Sequence, residues 1–185
     1  MLDPIKTECK QQMEKSIEAL ERGLAQIRTG KASPALLEGI KAEAYGSKMP
    51  INQLATLASP EPRLLTITPF DQSQTGAIEK AIQASDLGIN PTNDRQINRL
   101  PIPPLNEERR KEFVKMAKSK GEEAKVAIRN ARREANDALK KAESKSEITE
   151  DDKHKGEQDV QKLTDDHVKK VDAILEAKEK EIMEV

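Results

Sequence analysis

Apolar side chains at Leu2, Ile5, Cys9, Met13, Ile17, Leu20, Leu24 and Ile27 recur in steps of three or four and draw one stripe along a helix. Asp3 followed by Pro4 supplies an N-cap and a proline at the first helical position, and Gly30 sets the expected end at about Thr29. A second pattern opens at Asn106, an N-cap, with Glu107 and Glu108 in the first turn where the helix dipole favours acids. Its inward face is Phe113, Met116, Ala117, Ala124, Ala127, Ile128, Ala131, Ala135, Ala138 and Leu139, mostly alanine, which lets neighbouring helices approach closely. The third pattern opens at Thr149–Asp152 (TEDD), a capping box with Asp in place of Glu, and places Val160, Leu163, His167, Val171, Ile174, Ile182 and Val185 inward.

The first helix is expected to be about 40 Å long and the other two about 55 Å. With the three packed antiparallel in sequence order, the first cannot cover the far end of the pair. There the segment TEDDKHKGEQD between Ile148 and Val160 has no apolar side chain, as an overhang requires.

Residues 30–105 read differently. Ile40, Ala42 and Ala44 alternate with Lys41, Glu43 and Tyr45, and Leu64–Thr68 and Gln96–Leu100 are strand-like. Gly76–Gly88 reads as a short amphipathic helix closed by its last glycine, and eight of the ten prolines lie between Pro50 and Pro104. The fold class predicted is α+β: a long antiparallel three-helix bundle (1–29 and 106–185) with a small inserted β/α/β domain (30–105) on a two-stranded hinge. The hinge residues are Thr29, Gly30, Pro103, Pro104 and Leu105; Gly30 gives freedom of rotation, while Pro101, Pro103 and Pro104 restrict φ and keep the second connector extended.

Composition narrows function mainly by exclusion. The 185 residues carry 32 basic and 33 acidic side chains, so total charge identifies no partner. Only Tyr45, Phe70 and Phe113 are aromatic, which argues against modules that stack bases on a sheet face. The single cysteine, Cys9, excludes an internal disulfide, lies on the apolar stripe as a core residue and suits a reducing cytoplasm. No apolar run is long enough to span a bilayer, no secretory signal is expected, and a monomer is expected. Phosphate-binding loops, nucleophile elbows and paired metal-ligand histidines are missing, so neither enzyme chemistry nor a cofactor is expected. Core placement is expected for His167.

Arginine placement is the informative signal. Five of ten fall between Arg109 and Arg133 and none follows; residues 106–144 hold 12 basic and 8 acidic side chains, residues 145–185 hold 8 and 13. Lys111, Lys115, Lys118, Lys125, Arg129 and Arg132, interrupted at Glu122, follow helical spacing away from the alanine face and form a basic stripe. Exposed helical faces are ordinarily charged. Three forked guanidiniums within Ile128–Glu134 (IRNARRE), however, suit bidentate phosphate contacts better than solubility requires.

The stretches IRTGKASPALLEGI (Ile27–Ile40), KAIQASDLGINP (Lys80–Pro91), RLPIPPLNEERRKEF (Arg99–Phe113), IRNARREAND (Ile128–Asp137) and DVQKLTD (Asp159–Asp165) resemble the bacterial ribosome recycling factor family. The resemblance implies a cytoplasmic translation factor. It would bind ribosomal RNA of the large ribosomal subunit and, with elongation factor G and GTP, split the post-termination ribosome, itself hydrolysing nothing and needing neither DNA nor a membrane. It carries RNA contact to Arg28, Arg110, Arg129 and Arg132, and further to Arg109 and Arg133. Lys31 departs from the arginine of many members, and Asn106 from a threonine. The alternative reading is a helical protein-interaction scaffold or chaperone-like bundle, which explains the rod but neither the arginine cluster nor the insert.

Overall fold

The computed structural model describes residues 2–94 and 96–184; the inward position expected for Val185 lies outside them. In chain order the elements are α1 (Leu2–Ala25), β1 (Lys41–Ala44), β2 (Ser47–Pro50), α2 (Ile51–Leu54), β3 (Ala55–Glu61), β4 (Leu64–Pro69), α3 (Thr75–Gln83), β5 (Thr92–Asn93), β6 (Asn98–Pro101), α4 (Glu107–Ser144) and α5 (Glu150–Met183). Two compact units divide them: the chain up to Leu24 with Val114–Glu181, and Ala25–Phe113 with the chain from Ile182.

The first unit is a three-helix bundle. Cys9 Sγ donates to Ala131 O at 3.7 Å while Gly23 faces Lys120, so α1 and α4 run antiparallel. Lys125–Asp172 and Lys153–Glu143 pairs make α4 and α5 antiparallel, and Lys6–Asp159 sets α1 alongside α5 in the same direction. The core is Cys9, Met13, Ile17 and Leu20 of α1, Ala117, Ala124, Ile128, Ala131, Ala135 and Leu139 of α4, and Val160 and Val171 of α5. Burial raises the pKa of the Cys9 thiol, with the Glu134 charge adding to it, so Cys9 is an inert core residue.

Several expectations need correction. Helix α1 already includes Leu2, so Asp3 sits in its first turn and not at the N-cap, and it ends at Ala25, four residues before Thr29. Ile27 keeps helical spacing and is buried, but it is buried outside the helix, so spacing alone extended the element too far. Met116 is exposed. The seam instead uses Gly121, where any side chain would overlap Leu175, and Gly156, where one would meet Leu139 Cδ2 at 2.9 Å and Leu2 Cδ2 at 3.3 Å. Leu2 of α1 thus reaches Gly156, a buried position inside the segment expected to overhang, so α1 covers the pair there. Buried Thr164, which the apolar stripe passed over, returns its hydroxyl to Val160 O at 2.9 Å. His167 is buried; Nδ1 lies 2.6 Å from Leu163 O, so it donates there, whereas Nε2 has no partner among the described residues.

The helix ends follow local chemistry. Asn106 Oδ1 accepts from Arg109 N at 2.7 Å. Ser146, at φ +58°, closes α4, with Glu147 N donating to Ala142 O and Ser146 N to Glu143 O. In the capping box Asp152 N donates to Thr149 Oγ1 at 3.1 Å and Thr149 N donates to Asp152 Oδ2 at 3.2 Å.

In the second unit β1 and β2 form a hairpin, and a four-stranded antiparallel sheet has the order β3-β4-β6-β5. Leu65, Ile67 and Leu100 of the sheet pack with Ile78 and Ile82 of α3, and with Leu36, Leu37, Ala42, Ala44, Ile51 and Leu54. Here too the expected boundaries shift. Helix α3 stops at Gln83, because Ser85 returns both N and Oγ to Ile82 O, well before Gly88. The last strand begins at Asn98 rather than Gln96, and β2, β3 and β5 are additional.

Exchanging Gly121 for Ala should lower stability by about 1–3 kcal/mol, because Leu175 must move in a packed seam. The reciprocal case is Gly23→Ala, where only the flexible end of Lys120 must give; stability should rise by about 0.5–1 kcal/mol. Urea unfolding of both variants checks the pair. The pKa of Asp152 is held below its ordinary value chiefly by the Thr149 N–H, so its contribution is complete above the usual carboxylate range and is lost as pH falls through the depressed value. Accordingly the stability gap between wild type and Asp152→Ala should be constant near neutrality and close in acid.

Candidate nucleic-acid interface

In the first unit the middle of α4 presents Arg129, Arg132 and Arg133 within one and a half turns, on the side turned from the alanine core. Arg129 and Arg133 are exposed and, among the described residues, neither pairs with an acid. Arg132 is half-buried, and its Nη1 donates to Gln161 Oε1 at 3.4 Å, while Gln161 Nε2 donates to Asp165 Oδ1 at 2.9 Å. Arg132 is thus aimed by a neutral amide rather than cancelled by a carboxylate.

The strip is narrower than its spacing predicts. Lys125 folds down onto α5, its Nζ 2.7 Å from Asp172 Oδ1 and 3.9 Å from Glu122 Oε1. Its charge is spent within the bundle. Lys115 and Lys118 stay exposed on the same side of the helix.

In the second unit Arg28 and Arg110 are half-buried and Arg109 is exposed. Burial, and after it the nearby positive charge of Arg109, lowers the pKa of Arg28. Two like charges held close favour an anionic ligand. The Nε atoms of Arg28 and Arg110 are buried and bond to nothing among the described residues, whereas Arg109 Nη1 reaches Glu112 Oε2 at 3.4 Å. Lys111, placed on the basic stripe, pairs with Glu107 at 3.3 Å.

The connector residues lie in the second unit as well. Thr29 and Leu105 are buried, and Pro103 and Pro104 are exposed. Gly30 has φ +83°, and a methyl group there would sit 3.8 Å from Leu105 Cγ, so the two connectors run side by side. The left-handed backbone is what requires glycine.

Residues 20–183 match the family model for ribosome recycling factor. The chain belongs to the ribosome recycling factor family. Relatives in the family include the ribosome-recycling factor of Carboxydothermus hydrogenoformans, 54% identical over 185 residues with both chains covered completely. The factor of Bacillus subtilis strain 168 is 52% identical over the same complete length. Among solved structures, a solution structure of the ribosome recycling factor superposes with a TM-score of 0.79 at 43% identity, covering 100% of this chain and 98% of the other. A T. thermophilus ribosome recycling factor matches with a TM-score of 0.69 at 46% identity, both chains covered completely. That factor belongs to models in which it and the E. coli elongation factor G are bound to the E. coli post-termination complex.

The arginines of this recycling factor family member were legible as a cluster. Gln161 was not, because its partner on α4 is 29 positions away in sequence and no local motif announces it.

Proposed function

We propose that this chain recycles ribosomes after translation termination. It binds ribosomal RNA of the large subunit and, with elongation factor G and GTP, separates the post-termination ribosome into subunits. The open guanidinium strip of α4 carries the reading: forked donors without acid partners, in a family one of whose members has been described with elongation factor G on the post-termination complex. Arg129, Arg132 and Arg133 contact phosphate from the bundle, and Arg28, Arg109 and Arg110 from the second unit. The segments at Thr29–Gly30 and Pro103–Leu105 act as the pivot on which the inserted β/α/β domain moves. The factor works by binding and movement, and the GTP-using partner supplies the energy.

Purified protein mixed with post-termination ribosomes, elongation factor G and GTP should lower light scattering as subunits part; unchanged scattering would refute the reading. Affinity for large subunits should fall with salt at a log–log slope of about −3 to −4, for roughly four phosphates neutralised. Arg132→Ala should weaken subunit binding by about 1–3 kcal/mol while helix content and melting hold. Lys125→Gln should leave affinity close to wild type, since Asp172 already holds that charge. Equal losses at Lys125 and Arg129 would point to diffuse charge instead of the strip. Residual dipolar couplings of the two units, measured free and with subunits, should report different orientations; identical sets would remove the pivot.

A further inference from the structure

Along one line of α4 between Lys115 and Lys140, all within the first unit, every charge but one is positive. At about 100° per residue Lys115, Lys118, Arg129, Arg133 and Lys140 fall within an arc of about 60°, turned away from α1. All five are exposed and, among the described residues, none pairs with an acid. Lys140 carries the strip a further two turns past Arg133, whereas its neighbour Lys141 lies about 100° further round the helix.

The cations are unevenly spaced. Lys118 and Arg129 stand about 16 Å apart along the axis, Arg133 and Lys140 about 10 Å. The wide gap holds the exception, Glu122, with its side chain 67% exposed, and one turn on the exposed Val126. Glu122 keeps its charge for other use, because its nearest cation, Lys125 at 3.9 Å, is held by Asp172 at 2.7 Å. The other acids of α4 in this unit stand elsewhere: Glu123 and Glu134 line grooves against α1, Glu143 pairs with Lys153, and Asp137 lies past the margin of the arc. A carboxylate centred in a phosphate-binding face repels phosphate, so the ligand must offer something else at that point.

An A-form RNA duplex meets that requirement, because its phosphate ridges are separated in turn by a wide, shallow minor groove lined with 2′-hydroxyls and by a narrow major groove. A 2′-hydroxyl donates to a carboxylate, and the carbon-bound hydrogens of ribose suit an exposed valine. We propose that this face of α4 lies across the minor groove of an RNA duplex, with Glu122 accepting hydrogen bonds from ribose 2′-hydroxyls. Lys115 and Lys118 hold one phosphate ridge, Arg129 and Arg133 the next, and Lys140 reaches the phosphates beyond the narrow groove. The inference rests on the ribosomal-RNA binding proposed above and adds the form of the RNA and the residue that distinguishes it from DNA.

Charge alone and the proposed contact predict opposite signs. Removing an acid from a face that binds a polyanion should tighten binding, whereas losing a hydroxyl contact weakens it. Glu122→Ala should therefore lower affinity for large subunits about three- to tenfold in co-sedimentation at fixed salt, with helix content unchanged because the side chain is exposed. Glu123→Ala, the same change one residue on, should bind as wild type or tighter. Glu122→Gln keeps an acceptor and should stay within about twofold of wild type. Wild-type or tighter binding by Glu122→Ala overturns the proposal. Equal losses in the Ala and Gln variants overturn it too, since the charge itself would then be the attraction, as for a basic protein. Lys140→Gln should cost about two- to fivefold and Lys141→Gln nothing; equal effects would remove Lys140 from the face. Amide shifts of Glu122 and Val126 should move with an RNA duplex of about 16 base pairs and stay in place with the DNA duplex of the same sequence. Equal response to both duplexes, or none to the RNA, overturns the minor-groove contact. A wild-type chain that fails to bind large subunits refutes the recycling function and this inference together, whereas binding wild type with an indifferent Glu122→Ala removes only the groove contact.

Discussion

Everything presented by the bundle depends on the absence of side chains at two glycines. Leu175 occupies the space over Gly121, and Leu139 that over Gly156, contacts about five turns apart along α4. Two such knobs set both the register and the rotation of α4 against α5. Slipping α4 by one residue would rotate its faces by about 100°, turning guanidiniums toward the core and alanines toward solvent. Desolvating an unpaired guanidinium costs several kcal/mol, so the glycine seam and the exposed strip stabilise the same register.

Once the register is set, the acids of α5 decide which cations remain available. Asp172 takes Lys125, and Asp159 takes Lys6. Where α5 meets Arg132 it offers Gln161, with Asp165 one turn further on and bonded to the amide instead. An acid at position 161 would pair with Arg132 and withdraw it from any outside anion. A neutral acceptor orients the fork at little electrostatic cost, which is how a positioned yet unspent arginine can be built.

The three long helices and the caps of α4 and α5 were legible because hydropathy period and capping chemistry are local properties, whereas the Asp3–Pro4 start signal lies inside α1. Asn106 and Thr149 cap as their positions suggested. Gly121 and Gly156 were invisible to a reading that counts apolar side chains, because glycine has none to count; it matters through Leu175 and Leu139, distant in sequence. The true end of α1 was hidden by Ile27, whose spacing is helical although its backbone is not. In the insert, β3 (ATLASPE) is largely exposed and contains Pro60, so it shows no alternation to recognise, whereas β4, buried at alternate positions, does. Among the candidate site residues the arginine cluster stood out by composition, but the withdrawal of Lys125 is a tertiary fact.

Cationic donors that no intramolecular carboxylate has taken occur in both units. Arg129 and Arg133 of α4 are exposed and without acid partners among the described residues, and in the second unit the Nε atoms of Arg28 and Arg110 bond to nothing there. Arg28 also feels the positive charge of Arg109, and like charges held close are relieved by an anion, so each unit keeps guanidinium donors in reserve for a ligand from outside the chain.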